Sequence, residues 1–246
     1  MLRVLNMFNS MKTPKGEETR RRVHEAAMAL FREKGLDATT MRDVAAAAGM
    51  SLGAAYHYFP SKEAIVMAYY AQLQDEHARR VEEAVRAHPA TRDRLSAALH
   101  SKLRMVRDDR KVLGALLRFT GDPDHPLSFL GRGTRPIQLR SIATFAEPLR
   151  GAGLPADFLP VAALMLWALH MGLLLYLLYD ESPEQERTHR LVDGAVALFL
   201  SAMKLVRNPL LKPLRTRLTA VLRDAGLLPD AAALTPSPPA AEETVP

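Results

Sequence analysis

Between Asp157 and Asp180 the chain runs 22 residues, Phe158 to Tyr179, without one formal charge. As a helix that stretch is about 33 Å long and apolar on every side, so an ordinary half-exposed position does not suit it. Two settings do: the hydrocarbon of a bilayer, which takes ~18 or more apolar residues, or the interior of a helical protein. Ala168 and Gly172, four apart, permit close helix approach in either setting. Pro160 near the start of the run and His170 near its middle weigh against lipid, and no second comparable span exists.

The rest of the chain supplies helices. Aromatic residues are 6% of 246, β-branched alternation is missing, and Ala and Leu dominate, so the expected fold class is all-α. The length accommodates one or two domains, and 48% apolar with 24% charged residues is a globular composition. The absence of cysteine excludes disulfide scaffolds, thiolate zinc sites and a thiol nucleophile, and fits a cytoplasmic setting. The first apolar run is too short for a secretory signal, and Met1, Met7 and Met11 are alternative starts.

Residues 1–16 read as a flexible basic arm with Pro14 and Gly16 as breakers. Val23, Ala26, Ala27, Leu30 and Phe31 then mark one face of a helix over 17–34, which Gly35 stops. Thr40 to Asp43 spells a capping box for a short helix that Gly49 ends, and Ser51 caps a third that Pro60 terminates. Ser61 opens a long helix to about residue 87, and more helices flank the loop 121–133. Ser182-Pro183-Glu184-Gln185 reads as a helix start, with Leu191, Val192, Ala195, Leu198, Phe199 and Ala202 on one face of the helix that follows. Pro209 and Pro213 bracket a break before an extra amphipathic helix within 208–228, and the proline-rich tail 229–246 is expected to be disordered.

Two short helices joined by Ala48-Gly49-Met50-Ser51 form a helix-turn-helix signal over 40–59. The second carries Tyr56, His57 and Tyr58 in a row, so at least one ring has to face outwards, where a DNA groove can use it.

The stretch Gly35-Leu-Asp-Ala-Thr-Thr-Met-Arg-Asp-Val-Ala-Ala-Ala-Ala-Gly-Met-Ser-Leu-Gly-Ala-Ala-Tyr-His-Tyr-Phe-Pro-Ser-Lys-Glu-Ala64, with the helix before it, resembles the DNA-binding domain of TetR-type transcriptional regulators over residues 17–70. The resemblance implies a homodimeric, ligand-responsive regulator, usually a repressor, that binds palindromic double-stranded DNA. It implies a helical regulatory and dimerisation domain over 71–207, with no enzyme activity and no cofactor or metal. It puts Thr40, Met41 and Arg42 at the start of the second helix, Leu52, Gly53, Ala54, Tyr56, His57 and Tyr58 on the recognition helix, and Lys62 in the place of a phosphate-binding lysine. Leu52 and Ala54 depart from the polar residues many members carry; they can touch a thymine methyl but cannot hydrogen-bond a base. The helices at 160–179 and 183–206 take the place of the family's four-helix dimer interface, which would bury the uncharged run. The alternative is a membrane-anchored helical protein using residues 158–179.

Candidate pocket liners for a small hydrophobic or amphipathic effector are Tyr69, Leu103, Leu116, Phe119, Phe145, Met165, Trp167, His170 and Met171. Three other motifs carry less. Gly49-Met-Ser-Leu-Gly53 matches a hydrolase elbow, but an alanine-rich helix stands where that motif needs a strand. Asp122, Asp124 and His125 sit among glycines and prolines and read as a plain loop, and His24-Glu25 lacks the second histidine of H-E-x-x-H. The net charge of +6 concentrates in residues 1–22, where six cations meet two acids. Phosphate contact by that arm would steepen the salt dependence of DNA binding.

Overall fold

The computed structural model describes residues 13–228; the expectations for the start of the arm, the alternative initiators and the tail lie outside the described residues. Those residues are helical and contain no strand. They divide into two compact units, one of residues 13–73 and 106–134, the other of 74–105 and 135–228.

In the first unit, α1 spans Pro14–Lys34, beginning three residues before the expected start. Pro14 occupies the first turn, where a missing N–H costs nothing, and the Thr13 hydroxyl accepts from the Gly16 N–H at 3.1 Å. Gly35 closes the helix at φ 87°. Helix α2 (Met41–Ala47) has the full capping box, with Thr40 and Asp43 each bonded to the other's backbone N–H. Gly49 at φ 65° makes the reversal, and α3 (Leu52–Tyr58) starts with the Ala54 N–H donating to the Ser51 hydroxyl at 3.2 Å. Val23, Ala27, Phe31, Val44, Ala55, Phe59 and Ile65 form the core. The segment 106–134 joins it: Val112 and Leu116 of α6 (Arg110–Arg118) and Leu127 belong to the same cluster.

Helix α4 (Lys62–Ala87) contributes residues to both units. The second unit adds α5 (Thr91–Val106), α7 (Arg135–Ala146), α8 (Leu159–Tyr179), α9 (Glu186–Val206) and α10 (Lys212–Asp224). The uncharged run is α8, and it has two faces. Val161, Leu166, His170, Leu173 and Leu177 are buried, while Met165, Ala168, Gly172, Leu175, Tyr176 and Tyr179 are exposed. The face expected on α9 also divides: Val192 and Phe199 point inwards, whereas Leu191 and Leu198 are exposed. Neighbouring residues lie about 100° apart on a helix, so one broad apolar stripe borders two surroundings. Helix α10 turns 87° away from α9, and the Arg215 guanidinium donates to the Val206 carbonyl at 2.5 Å.

The start of α9 differs from the expected Ser182 cap. Glu184 and Gln185 adopt left-handed φ of 51° and 58°, rare for side-chain-bearing residues, and the α-helix begins only at Glu186. Asp180 organises this corner. Its carboxylate accepts from the N–H and hydroxyl of Ser182 (2.9 and 2.6 Å) and of Thr188 (2.8 and 2.6 Å). Burial opposes ionisation there, but the bonds from Ser182 and Thr188 outweigh it and hold the carboxyl far below its usual range. Sequence reading picks the serine because caps are sought immediately before a helix, whereas this one arrives from eight residues back.

Candidate nucleic-acid interface

The helix-turn-helix is fastened from beneath, which leaves its outer surface free. Tyr58 and Leu52 are half-buried against the core, and the His57 ring meets Tyr58 edge-on at 5.1 Å. Tyr56 stands 48% exposed. Gly53 is exposed, and a Cβ built on it would meet nothing within 4 Å, so a duplex backbone can approach there. Ala54 is half-buried beside it. The expected contact residues Leu52, Gly53, Ala54, Tyr56, His57 and Tyr58 thus fall on one seven-residue helix, with Tyr56 its most exposed ring.

Helix α2 presents Arg42, exposed and in no ion pair among the described residues. Thr40 is exposed, but its hydroxyl serves the cap, accepting from the Asp43 N–H at 3.2 Å and donating to the Asp43 carboxylate at 2.9 Å. Met41 lies elsewhere: at 6% exposure it is part of the core, because the position after the cap faces α1 in this register. Lys62 is half-buried and donates to the Leu36 carbonyl at 2.7 Å, which ties the start of α4 to the loop before α2.

The acids around this surface are neutralised locally. Asp43 pairs with Lys34 at 2.9 Å, and the Lys34 and Thr40 hydrogen bonds lower its carboxyl to about 2. Asp37 pairs with Arg118 at 2.6 Å. Arg42 therefore faces outwards beside carboxylates that already have partners, which suits a polyanion. On α1, Arg20 lies over the Phe59 ring at 4.8 Å, while Arg21 is committed to Glu18 and Glu25. His24 is buried with Nε2 unpartnered, and burial lowers its pKa.

The pocket candidates are distributed over both units. Tyr69, Leu116 and Phe119 belong to the first unit; Leu116 is in its core, and the Tyr69 hydroxyl donates to Asp109 at 2.5 Å. Met165 is exposed on α8 and Met171 is intermediate. Leu103, Phe145, Trp167 and His170 are buried in the second unit, where Phe145 sits between His77 and His170 at ring distances of 5.3 and 4.9 Å. The polar side chains of this group are Gln74, His77 and Lys102, none of them among the residues that the sequence pattern proposes for the pocket. Lys102 was legible, since it occupies the stripe of Leu95, Leu99 and Val106 at helical spacing. In the loop 121–133, Asp122 accepts from the Asp124 N–H and His125 from the Leu127 N–H, both at 3.1 Å, as turn-forming groups do.

A short capped helix, a glycine reversal and a second capped helix exposing Arg42 and Tyr56 define a helix-turn-helix regulator head. The family model for bacterial regulatory proteins of the tetR family matches residues 24–69. The HTH-type transcriptional repressor KstR2 of Rhodococcus jostii (strain RHA1) is 37% identical over 106 residues, 39% of this chain and 52% of that protein. The chain therefore matches about half the length of that curated relative. Among solved structures, Salmonella enterica GusR is similar with a TM-score of 0.61 at 22% identity, over 78% of this chain and 98% of that one. A SmeT–triclosan complex is similar with a TM-score of 0.57 at 24% identity, over 75% and 91%. Residues 24–69 are thus a domain of the tetR family of bacterial regulatory proteins.

Proposed function

We propose that the protein is a cytoplasmic, homodimeric repressor that reads a palindromic operator with α2 and α3 and leaves it when an apolar or amphipathic effector binds the second unit. The unpaired Arg42 beside the exposed Tyr56 carries the DNA-reading part. Arg42, Tyr56 and His57 supply direct readout, and the apolar Leu52 and Ala54 leave room for readout of DNA shape. The core position of Met41 removes it from the proposed contacts, and Lys62 has its carbonyl bond to exchange before it can take a phosphate. The exposed stripes Met165–Ala168–Gly172–Tyr176–Tyr179 of α8 and Leu191–Leu198–Leu205 of α9 support pairing with a second copy. The similar SmeT complex contains triclosan, which supports a small-molecule effector.

Selection of bound DNA from a random pool tests the reading. The expected product is a palindrome with half-site centres about 34–36 Å apart, or a multiple of that. No enrichment, or enrichment of a single asymmetric half-site, would refute it. Helix α8 is long and apolar enough to cross a membrane, and half of its apolar window is buried. Protein that stays in a salt-washed membrane pellet would favour the anchored alternative.

A further inference from the structure

The interior of the second unit holds a cation with no counter-charge. Lys102 is 3% exposed, and its one hydrogen bond donates to Gln74 Oε1 at 2.5 Å. No carboxylate pairs with it among the described residues. Lysine is almost never buried so completely without a partner, because the charged head loses its hydration. Two more buried nitrogen-bearing side chains stand close enough to feel that charge. His77 uses Nε2 on the Ala98 carbonyl at 3.0 Å and leaves Nδ1 unpartnered, and the buried His170 ring has no side-chain hydrogen-bond partner, only the Trp167 backbone beside it. Buried nitrogens so sparsely partnered are rare, and here both imidazoles flank one ring, Phe145, within reach of the Lys102 charge.

The residues a turn away on the same helices, Leu99 on α5 and Leu166, Leu173 and Leu174 on α8, are all buried and apolar. The polar nucleus thus sits inside hydrocarbon. Burial lowers Lys102 to about 7; it lowers His77 to about 3 with help from the Lys102 charge, and it holds His170 well below the usual imidazole range. The missing chemistry is that of an acceptor carrying one negative charge on an apolar body.

We propose that Lys102, with His170 and His77, forms the carboxylate-recognition site of the second unit, and that the effector is an apolar monocarboxylate whose acid group supplies the counter-charge of Lys102. This rests on the ligand-responsive reading above. One carboxylate oxygen takes the free Lys102 N–H groups and the other takes a His170 N–H. Binding restores a normal lysine and draws one proton from solution near pH 8.

The test uses the full-length protein with decanoate and 4-phenylbutyrate, each beside its methyl ester, read by melting temperature, by calorimetry in two buffers of different ionisation enthalpy, and by operator release. The acids are expected to raise the melting temperature by roughly 5 °C at a hundred-fold excess over Kd, with proton uptake, and the esters to leave it unchanged. Lys102→Met is expected to lose that response while melting higher than wild type without ligand, because a buried polar head without a full set of partners has been replaced by an apolar one. Lys102→Gln, which can keep the Gln74 bond, gives the same loss should the methionine variant fail to fold. Acids that do not stabilise the protein, esters that match them, or a Lys102→Met variant that responds like wild type would overturn the proposal. Operator release by the esters, unaffected by Lys102→Met, would overturn the acid site and leave ligand response standing. Lys102-dependent acid binding without release would do the reverse.

Discussion

The recognition head and the second unit handle burial in opposite ways. The head encloses an apolar core and pairs acids within itself, Asp37 with Arg118, Asp43 with Lys34 and the buried Asp109 with Arg32; its buried unpartnered atoms are His24 Nε2 and the hydroxyls of Thr120 and Ser128, none of them a cation's. The second unit keeps Lys102, His77 and His170 inside and turns Leu198 and Leu205 outwards at 74% and 67% exposure. A part that reads a fixed duplex can be complete in isolation. On the proposed function the second unit has to sense and to pair, and it leaves valences open for both, polar ones within and apolar ones without.

Substitutions can break or sharpen that contrast. Phe31→Ala, which hollows the head at a fully buried position, should cost about 3–5 kcal/mol and abolish operator binding, checked by urea unfolding and gel shift. Loss of binding without loss of stability would mean the head does not rest on its own core. Asp180→Ala removes four hydrogen bonds at the entry to α9 and should cost about 2–4 kcal/mol; retained thermal stability would leave the left-handed pair at 184–185 without its support. Arg42→Ala should weaken operator binding by about 1–3 kcal/mol and relax preference at one base pair, measured on matched and substituted operators. Thr40→Ala should cost about 1 kcal/mol by uncapping α2. The Asp43 partner in that box sets a pH window. Its folded-state value, about 2, lies below the ordinary 3.8, so its contribution is present above that ordinary value and is lost as pH falls towards 2. Acid titration of α2 amide signals should follow that window in wild type and flatten in Asp43→Asn.

How legible each region is follows the same divide. In the head, the Thr40–Asp43 box, Gly49, the Ser51 cap and Pro60 act within four residues of what they organise, so pattern alone finds them. Pro14 misleads only when read as a breaker rather than as the first residue of a helix. The packing of residues 106–134 with the head rests on Val112, Leu116 and Leu127 meeting residues some 50–100 positions away, which no local period encodes. Leu116 and Phe119 therefore looked like pocket walls and lie with the head. Lys102 is legible where helical period outweighs residue type, because it shares the stripe of Leu95, Leu99 and Val106.

Asp109 begins α6, yet its carboxylate makes no bond to cap that helix. One oxygen accepts from Arg32 of α1 and the other from Tyr69 of α4, both at 2.5 Å. Two stretches of chain, 77 and 40 residues away, are thereby pinned with this one at a single vertex. A joint with two legs can pivot, whereas a tripod cannot. A twist applied to α6 therefore reaches α1 and α4 as torque on a rigid foot, with little slack to absorb it.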